Sequence, residues 1–267
     1  MIAKTLVGVL LIAGLLFAAL IIVLYINQRS LIYPIPAYDA DTPAGFERIE
    51  YTTSDGLRLQ AGYRSGRDGK PVLLFFHGNG VDWQTTSFTT ELAMAQGYGV
   101  LAAEYRGYGG NPGSPSETGL YRDGFAAYTW LRDQGIAPSD IVLVGNSLGS
   151  GVATEIARNV DARALMIVSG FKSMSATAAN AYPFAPVDAL LHDRFDNIDK
   201  LPELEMPILV VHGADDSLIP VAHARALAAA NPAAELVVLS GMGHNMSGET
   251  AAQRPQLAFL RALEDAR

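Results

Sequence analysis

The chain begins with a long apolar run and continues with short apolar runs separated by mixed segments. Residues 5–26 (TLVGVLLIAGLLFAALIIVLYI) carry no charge. As an α-helix they would be about 33 Å long, against roughly 30 Å of bilayer hydrocarbon. Lys4 and Arg29 flank the run, and Tyr25 and Tyr33 stand where interfacial aromatic residues would lie. Residues 1–29 are therefore predicted to form one N-terminal transmembrane helix that anchors the protein in a membrane.

A cleaved signal peptide is the competing interpretation of this run. Its apolar core usually spans about 7–15 residues and ends at small residues, whereas this run is longer and ends in IIVLYI. An uncleaved anchor is therefore favoured. The two flanks carry nearly equal positive charge, and the acidic residues that follow Arg29 make that flank less positive overall. We expect the domain to lie on the extracytoplasmic side.

The apolar pattern of residues 30–267 predicts one α/β domain. Residues 46–51 and 57–63 alternate around a Ser-Asp-Gly turn, as in an antiparallel hairpin. Six continuous apolar runs follow: 72–76 (VLLFF), 100–105 (VLAAEY), 141–145 (IVLVG), 164–170 (ALMIVSG), 207–213 (PILVVHG) and 235–241 (ELVVLSG). Segments of helical length separate them, at 84–96, 116–133, 148–159, 221–230 and 250–264. This alternation indicates a mostly parallel sheet of about eight strands, flanked by helices on both faces.

One connection is longer than the others. Residues 171–201 are rich in aromatic residues and proline, and long insertions in compact domains are often lids or binding loops. We expect this segment to form a short cap over the substrate-binding site, with Tyr182, Phe184 and Leu190 among the apolar residues that contact the substrate. A purely structural excursion is the alternative.

Composition narrows the possible functions. The formal net charge of −8 argues against binding nucleic acid, which requires a basic surface. The chain has no cysteine, so a disulfide framework, a thiolate nucleophile and a cysteine-based zinc site are excluded.

Chemistry-bearing residues follow four of the predicted strands. These are residues 77–80 (HGNG), 145–149 (GNSLG), 212–216 (HGADD) and 241–245 (GMGHN). Loops at the carboxyl ends of parallel strands converge on one crevice, so we expect these four segments to meet there. The pattern Gly-x-Ser-x-Gly between a strand and a helix is typical of a nucleophilic serine on a strained turn, and its glycines avoid clashes.

A serine hydroxyl needs a base to become nucleophilic, and the base needs an acid to orient it. The chain offers five histidines: His77, His192, His212, His223 and His244. His244 lies in a glycine-rich loop after the last strand and is the predicted base for Ser147. His77 and His212 are expected to support their loops, and His223 is expected at the surface. Asp215 and Asp216 are both candidates for the acid.

The same stretches carry a family resemblance over nearly the whole domain. Residues 73–80, 104–123 (EYRGYGGNPGSPSETGLYRD), 145–151, 211–220 and 241–246 resemble the membrane-anchored α/β-hydrolase-domain serine hydrolases. That branch includes lysophospholipases and protein depalmitoylases and is distantly similar to prolyl-oligopeptidase-type enzymes. The resemblance implies an α/β-hydrolase fold without metal or cofactor.

The resemblance also assigns roles to individual residues. In the pattern His-Gly-x-x-Asp-x-x-Ile/Val-Pro the catalytic acid is the fifth residue, here Asp216 rather than Asp215. The oxyanion donors are implied to be the backbone amides of Leu148 and Asn79, with Gly80 a weaker alternative. Arg106, which also borders the crevice, is expected to pin its loop rather than to bind an anionic head group.

The sequence thus predicts a membrane-anchored serine hydrolase that uses Ser147, Asp216 and His244 on ester or thioester bonds of lipid-like or acylated substrates. A serine peptidase and a non-catalytic membrane-bound binding protein on the same fold are the alternatives. Acyl-chain length and oligomeric state are not encoded in these motifs.

Overall fold

A computed structural model describes residues 2–37 and 41–265 of the chain. Within these residues the sheet has eight strands: β1 (Glu47–Thr52), β2 (Arg58–Arg64), β3 (Val72–Phe76), β4 (Gly99–Ala103), β5 (Ile141–Asn146), β6 (Ala164–Val168), β7 (Ile208–Gly213) and β8 (Ala234–Leu239). Their order is β1-β2-β4-β3-β5-β6-β7-β8. β1, β2 and β4 pair antiparallel, and the pairs from β4 through β8 are parallel. The predicted mostly parallel α/β sheet is confirmed.

The continuous apolar runs form the strands at the centre of this sheet. Every residue of β3, β4, β6 and β7 is buried, as are the first five residues of β5. Helices that cover both faces of the sheet leave no strand face toward water, which explains why these strands do not alternate. β8, at the edge, is only partly buried.

Ten helices accompany the sheet in the described residues: α1 (Ile2–Ile32), α2 (Thr85–Thr89), α3 (Glu91–Ala95), α4 (Glu117–Asp133), α5 (Leu148–Asn159), α6 (Met174–Ala181), α7 (Val187–Leu190), α8 (Asn197–Lys200), α9 (Ala222–Ala230) and α10 (Thr250–Asp265). The start of α4 shows why the boundaries fall where they do. The side chain of Ser116 accepts a hydrogen bond from Gly119 N at 3.1 Å, which satisfies an amide that has no partner within the helix.

The segment 84–96 departs from the prediction of a single helix. It forms α2 and α3, which are separated at Thr90. The hydroxyls of Thr89 and Thr90 donate to the carbonyls of Thr85 and Thr86, at 3.0 and 2.6 Å. Side-chain bonds of this kind compete with regular helix geometry.

α1 is long and apolar enough to cross a membrane, and signal sequences share these two properties. Most of its apolar side chains are exposed, and its buried residues are Gln28 and Ile32 near its carboxyl end. Pro34 and Pro36 follow, and proline restricts the residue before it and cannot continue helical hydrogen bonding. The side chains of the charge-free run are therefore mostly exposed, while the end of the helix packs on the domain.

The long insertion between β6 and β7 contains α6, α7, α8 and a short 3-10 helix, Leu201–Glu203. Its middle part lies beside α1. The rings of Phe184 and Phe17 are 6.5 Å apart, and Tyr25 Oη lies 3.0 Å from His192 Nε2.

Candidate active site

Ser147 stands on a sharp turn between β5 and α5. Its backbone has φ 49° and ψ −115°, a region that non-glycine residues rarely adopt, and its amide donates to Val168 O at 2.9 Å. A Cβ on Gly145 would lie 2.5 Å from the Gly149 carbonyl oxygen, and one on Gly149 would lie 2.1 Å from Phe76 O. Both glycines are therefore required by close packing, as the Gly-x-Ser-x-Gly pattern predicts.

Ser147, His244 and Asp216 are brought together in a continuous relay. Ser147 Oγ lies 2.9 Å from His244 Nε2, and His244 Nδ1 lies 2.8 Å from Asp216 Oδ2. The backbone carbonyl of His244 accepts a hydrogen bond from Ser169 Oγ at 3.0 Å, which fixes the loop that carries the imidazole. This geometry can move a proton from the hydroxyl to a ring whose orientation is set by a carboxylate.

The choice between the two neighbouring aspartates is resolved by burial. Asp215 is exposed, whereas the Asp216 side chain is fully buried beside His244. Asp216 Oδ1 also accepts from Ile219 N at 2.8 Å. Burial raises the pKa of the Asp216 carboxyl, but hydrogen bonds from His212 and His244 outweigh burial and hold its pKa below the usual range. Asp216 is therefore an ionised partner for the histidine.

The loop after β3 reaches the serine from the other side. A Cβ on Gly78 would lie 3.3 Å from Ser147 Cβ, so Asn79 follows a backbone that touches the turn of the nucleophile. Leu148 is the first residue of α5, where the first amides have no partner within the helix. Asn79 and Ser147 also line the same cavity. This placement is compatible with the two expected oxyanion donors.

Glu104 is a supporting residue that the sequence interpretation did not single out. Its buried carboxylate contacts His77 Nε2 at 2.6 Å and accepts from the amides of Trp83 and Tyr105 at 2.9 and 2.8 Å. Tyr105 Oη donates to His77 O at 2.8 Å. Burial lowers the pKa of His77, but the charge and hydrogen bond of Glu104 outweigh burial and raise it. The sequence signal for this role was the position of Glu104, an acidic residue directly after the buried strand β4.

The remaining histidines have structural contacts. His77 and His212 contact the backbone carbonyls of Gly78 and Ile219, at 2.7 and 2.8 Å, in line with their expected loop-supporting roles. The expectation for His223 was wrong, because this side chain is buried rather than at the surface. His223 Nδ1 accepts a hydrogen bond from Lys172 N at 3.3 Å. Lys172 belongs to the insertion, which therefore covers the start of α9.

Arg106 is engaged within the protein. Its guanidinium donates to Asp123 at 2.8 Å and to Asp55 at 2.8 Å. The Arg106 side chain is 7% exposed and that of Asp123 is 1% exposed. Arg106 therefore pins its loop between α4 and the turn after β1, as expected.

A cavity of about 450 Å³ opens beside Ser147 and His244. Its walls include Val81, Phe88 and Glu249. None of the residues that line it belongs to the insertion 171–201.

This arrangement differs from the expected apolar walls of the insertion. Tyr182 and Leu190 instead line a separate apolar cavity of about 90 Å³ between the insertion and α1. Phe184 is half exposed and contacts Phe17 and Tyr182. The physical reason is that the insertion packs its apolar side chains against α1 rather than over Ser147.

No group of three or more His, Asp or Glu side chains among residues 2–37 and 41–265 is arranged to hold a metal ion.

Comparison with known proteins places this chain in a family. A family model described as "Alpha/beta hydrolase family" matches residues 73–204, and one described as "TAP-like protein" matches residues 180–265. An uncharacterized protein of Mycobacterium tuberculosis is 38% identical over 247 residues, covering 88% of this chain and 86% of the relative. Human alpha/beta hydrolase domain-containing protein 17B is 32% identical over 201 residues, covering 72% of this chain and 67% of the relative. The chain belongs to the α/β-hydrolase superfamily.

Solved structures share the fold at lower sequence identity. An esterase of Pyrococcus furiosus aligns with TM-score 0.69 and 19% identity, covering 88% of this chain and 97% of the esterase. A membrane phospholipase A described as a bacterial virulence factor aligns with TM-score 0.64 and 16% identity, covering 97% of this chain and 98% of that protein. The family membership supports a hydrolase.

Proposed function

We propose that this protein is a serine hydrolase that cleaves carboxylic ester or thioester bonds through an acyl-enzyme. The observation that carries the proposal is the relay from Ser147 Oγ to His244 Nε2, at 2.9 Å, and from His244 Nδ1 to Asp216 Oδ2, at 2.8 Å. The strained turn at Ser147 presents the hydroxyl at the wall of the cavity, where a carbonyl carbon can approach it.

The reaction follows from these positions. Ser147 Oγ attacks the carbonyl carbon while its proton passes to His244 Nε2, and Asp216 stabilises the resulting imidazolium. The amides of Leu148 and Asn79 hold the negative oxygen of the tetrahedral intermediate. His244 then gives its proton to the leaving alcohol or thiol, which leaves an acyl group on Ser147. Water, deprotonated by His244, releases the carboxylic acid and restores the serine.

The cavity favours an acyl substrate without an anionic group near the scissile bond. Phe75, Val81 and Phe88 form apolar parts of its wall. Glu249 contributes a carboxylate to the lining. A negatively charged head group would be repelled by that carboxylate, whereas a neutral or cationic one would not. Neutral lipid-like esters fit this combination, and the similarity to a solved esterase supports an ester substrate.

The proposal includes attachment to a membrane through α1. The side chains of the charge-free run are mainly exposed, with Leu10, Leu15 and Ile22 each more than half exposed, and such a surface is stable in hydrocarbon rather than in water. Residues 1–29 would form the anchor and residues 30–267 the catalytic domain, on the extracytoplasmic side. Substrates in or near the bilayer would then reach the site directly.

A fluorophosphonate probe tests the central claim. Folded full-length protein should be labelled, the label should map to Ser147, and Ser147→Ala should abolish it. Absence of labelling in folded wild-type protein would contradict the proposal. p-Nitrophenyl esters of graded chain length, lysolipids, acyl thioesters and a peptide p-nitroanilide then define the substrate class, and preferred turnover of the anilide would indicate a peptidase instead.

A further inference from the structure

The end of α1 is held to the domain by polar contacts of Gln28 and Arg29. Gln28 Oε1 accepts a hydrogen bond from His192 N at 2.8 Å, and Gln28 is 8% exposed in a helix that is otherwise mostly exposed. Arg29 Nε lies 3.1 Å from Asp193 Oδ2, and that carboxylate is buried. Tyr33 is also buried and packs on the ring of Phe195 at 6.5 Å. The helix end therefore has a fixed position on the domain.

That helix end contacts the loop after β3. Asn79 Nδ2 donates a hydrogen bond to the carbonyl of Ile32 at 3.2 Å. The last carbonyls of an α-helix have no partner within the helix, so this bond satisfies one of them. Pro34 lies beside the same loop, since a Cβ on Gly80 would lie 3.7 Å from Pro34 Cγ. Residues 32–34 and 79–80 thus form a direct contact between the end of α1 and the loop after β3.

We infer that the docked end of α1 positions the oxyanion loop, and that Asn79 is the positioning residue that joins them. The inference rests on the proposed function, in which the backbone amide of Asn79 stabilises the oxyanion. Its side chain would fix that amide by bonding to Ile32 O. A displacement of the helix end would then move the amide and slow the chemical step without weakening substrate binding.

Kinetics of the full-length protein in detergent micelles test this link. Asn79→Ala keeps the backbone amide and removes the bond to Ile32, and Asn79→Leu keeps a side chain of similar size without a donor or a charge. Loss of one hydrogen bond of this kind changes a rate constant by about three- to tenfold. The kcat for a p-nitrophenyl ester should therefore fall by that factor, with KM nearly unchanged. A rise in KM with unchanged kcat would overturn the positioning role.

The second arm changes the helix end rather than the loop. Gln28→Ala should reproduce the loss of kcat, because it removes the acceptor for His192 N and the donor to Tyr25 O. Asn27→Ala is the matched control, because the Asn27 side chain is exposed and bonds to Val23 O of its own helix. The double variant Gln28→Ala/Asn79→Ala should be no slower than Asn79→Ala alone, since both changes act through one contact. Normal kcat in Gln28→Ala, or fully additive losses, would contradict the inference.

Hydrogen exchange separates this inference from the proposed function. The peptide that contains residues 77–81 should exchange faster in Gln28→Ala than in wild type and Asn27→Ala, at unchanged melting temperature. Unchanged exchange would overturn the link even in an active enzyme. Failure of the wild type to label at Ser147 would instead refute the hydrolase proposal, while the exchange measurement would still decide whether the helix end holds the loop.

Discussion

His244 Nδ1 lies 2.8 Å from Asp216 Oδ2, whereas Asp215, one residue earlier, is exposed. Two adjacent aspartates therefore provide a matched pair for mutagenesis. Asp216→Asn keeps the size of the side chain but places an amide against the imidazole, so kcat should fall by about 10³–10⁴. Asp215→Asn should change kcat less than twofold, on the order of an uncoupled surface change. Ester hydrolysis by both variants checks this, and equal losses would contradict the assignment of Asp216 as the acid.

Arg106 is expected to contribute to stability rather than to substrate binding. Arg106→Leu leaves the buried Asp123 carboxylate without its partner, which should lower the free energy of unfolding by about 3–5 kcal/mol. Arg122→Leu is the control, because Arg122 is half exposed and its contact with Asp55 should be worth about 0–1 kcal/mol. Denaturant unfolding measures both values. A stable Arg106→Leu protein with raised KM for esters would show a substrate role instead.

Stability should fall in mildly acidic solution because of His223. Burial lowers the pKa of His223 from 6.5 to about 4, and the charge of Lys172 adds to the shift. Between these values the unfolded chain binds more protons than the folded one, so stability decreases as pH falls through this window. The melting temperature of His223→Gln should therefore depend less on pH between 7 and about 4.5 than that of the wild type. An equal dependence in both proteins would contradict this role for His223; His192→Gln, at an exposed position, is the control.

Membrane contact should extend from α1 to the insertion. Phe184 touches Phe17, which lies nine residues before Ile26, about 14 Å along the helix axis. With residues 5–26 across the bilayer, Phe184 should lie within hydrocarbon. Phe88 lines the Ser147 cavity instead of contacting Phe17, so we expect it outside the hydrocarbon. The chain has no cysteine, so Phe184→Cys and Phe88→Cys can each carry one fluorophore. In liposomes, brominated lipids should quench the label at residue 184 and leave the one at residue 88 bright. Equal quenching would contradict this placement.

The strands that were predicted correctly, and the convergence of three candidate site residues, share a simple physical origin. β3 to β7 are buried on both faces, so their apolar runs are readable without knowing their neighbours. Ser147, Asp216 and His244 follow three of the strands, and parallel topology alone brings strand ends together. Topology thus predicts that the three side chains are neighbours, whereas the distances of 2.9 and 2.8 Å between them depend on the loop conformations.

The features that were missed depend on tertiary packing. Tyr182 and Leu190 line the cavity beside α1 because the insertion packs against that helix. The local sequence of the insertion does not determine which neighbour it packs against. His223 was assigned to the surface for the same reason, since the insertion that covers its helix is distant in sequence. Glu104 stood in a conspicuous stretch, but its role required knowing that His77 and two amides lie around it.

The positive φ of Ser147 has a consequence for how this protein can be improved or degraded by mutation. A non-glycine residue in such a region costs on the order of 1–3 kcal/mol, and glycine relieves that cost. Ser147→Gly should therefore yield a more heat-resistant protein that hydrolyses nothing. Selection for thermal stability alone would therefore favour variants that have lost activity. A library that varies this position must be screened for turnover as well as for stability.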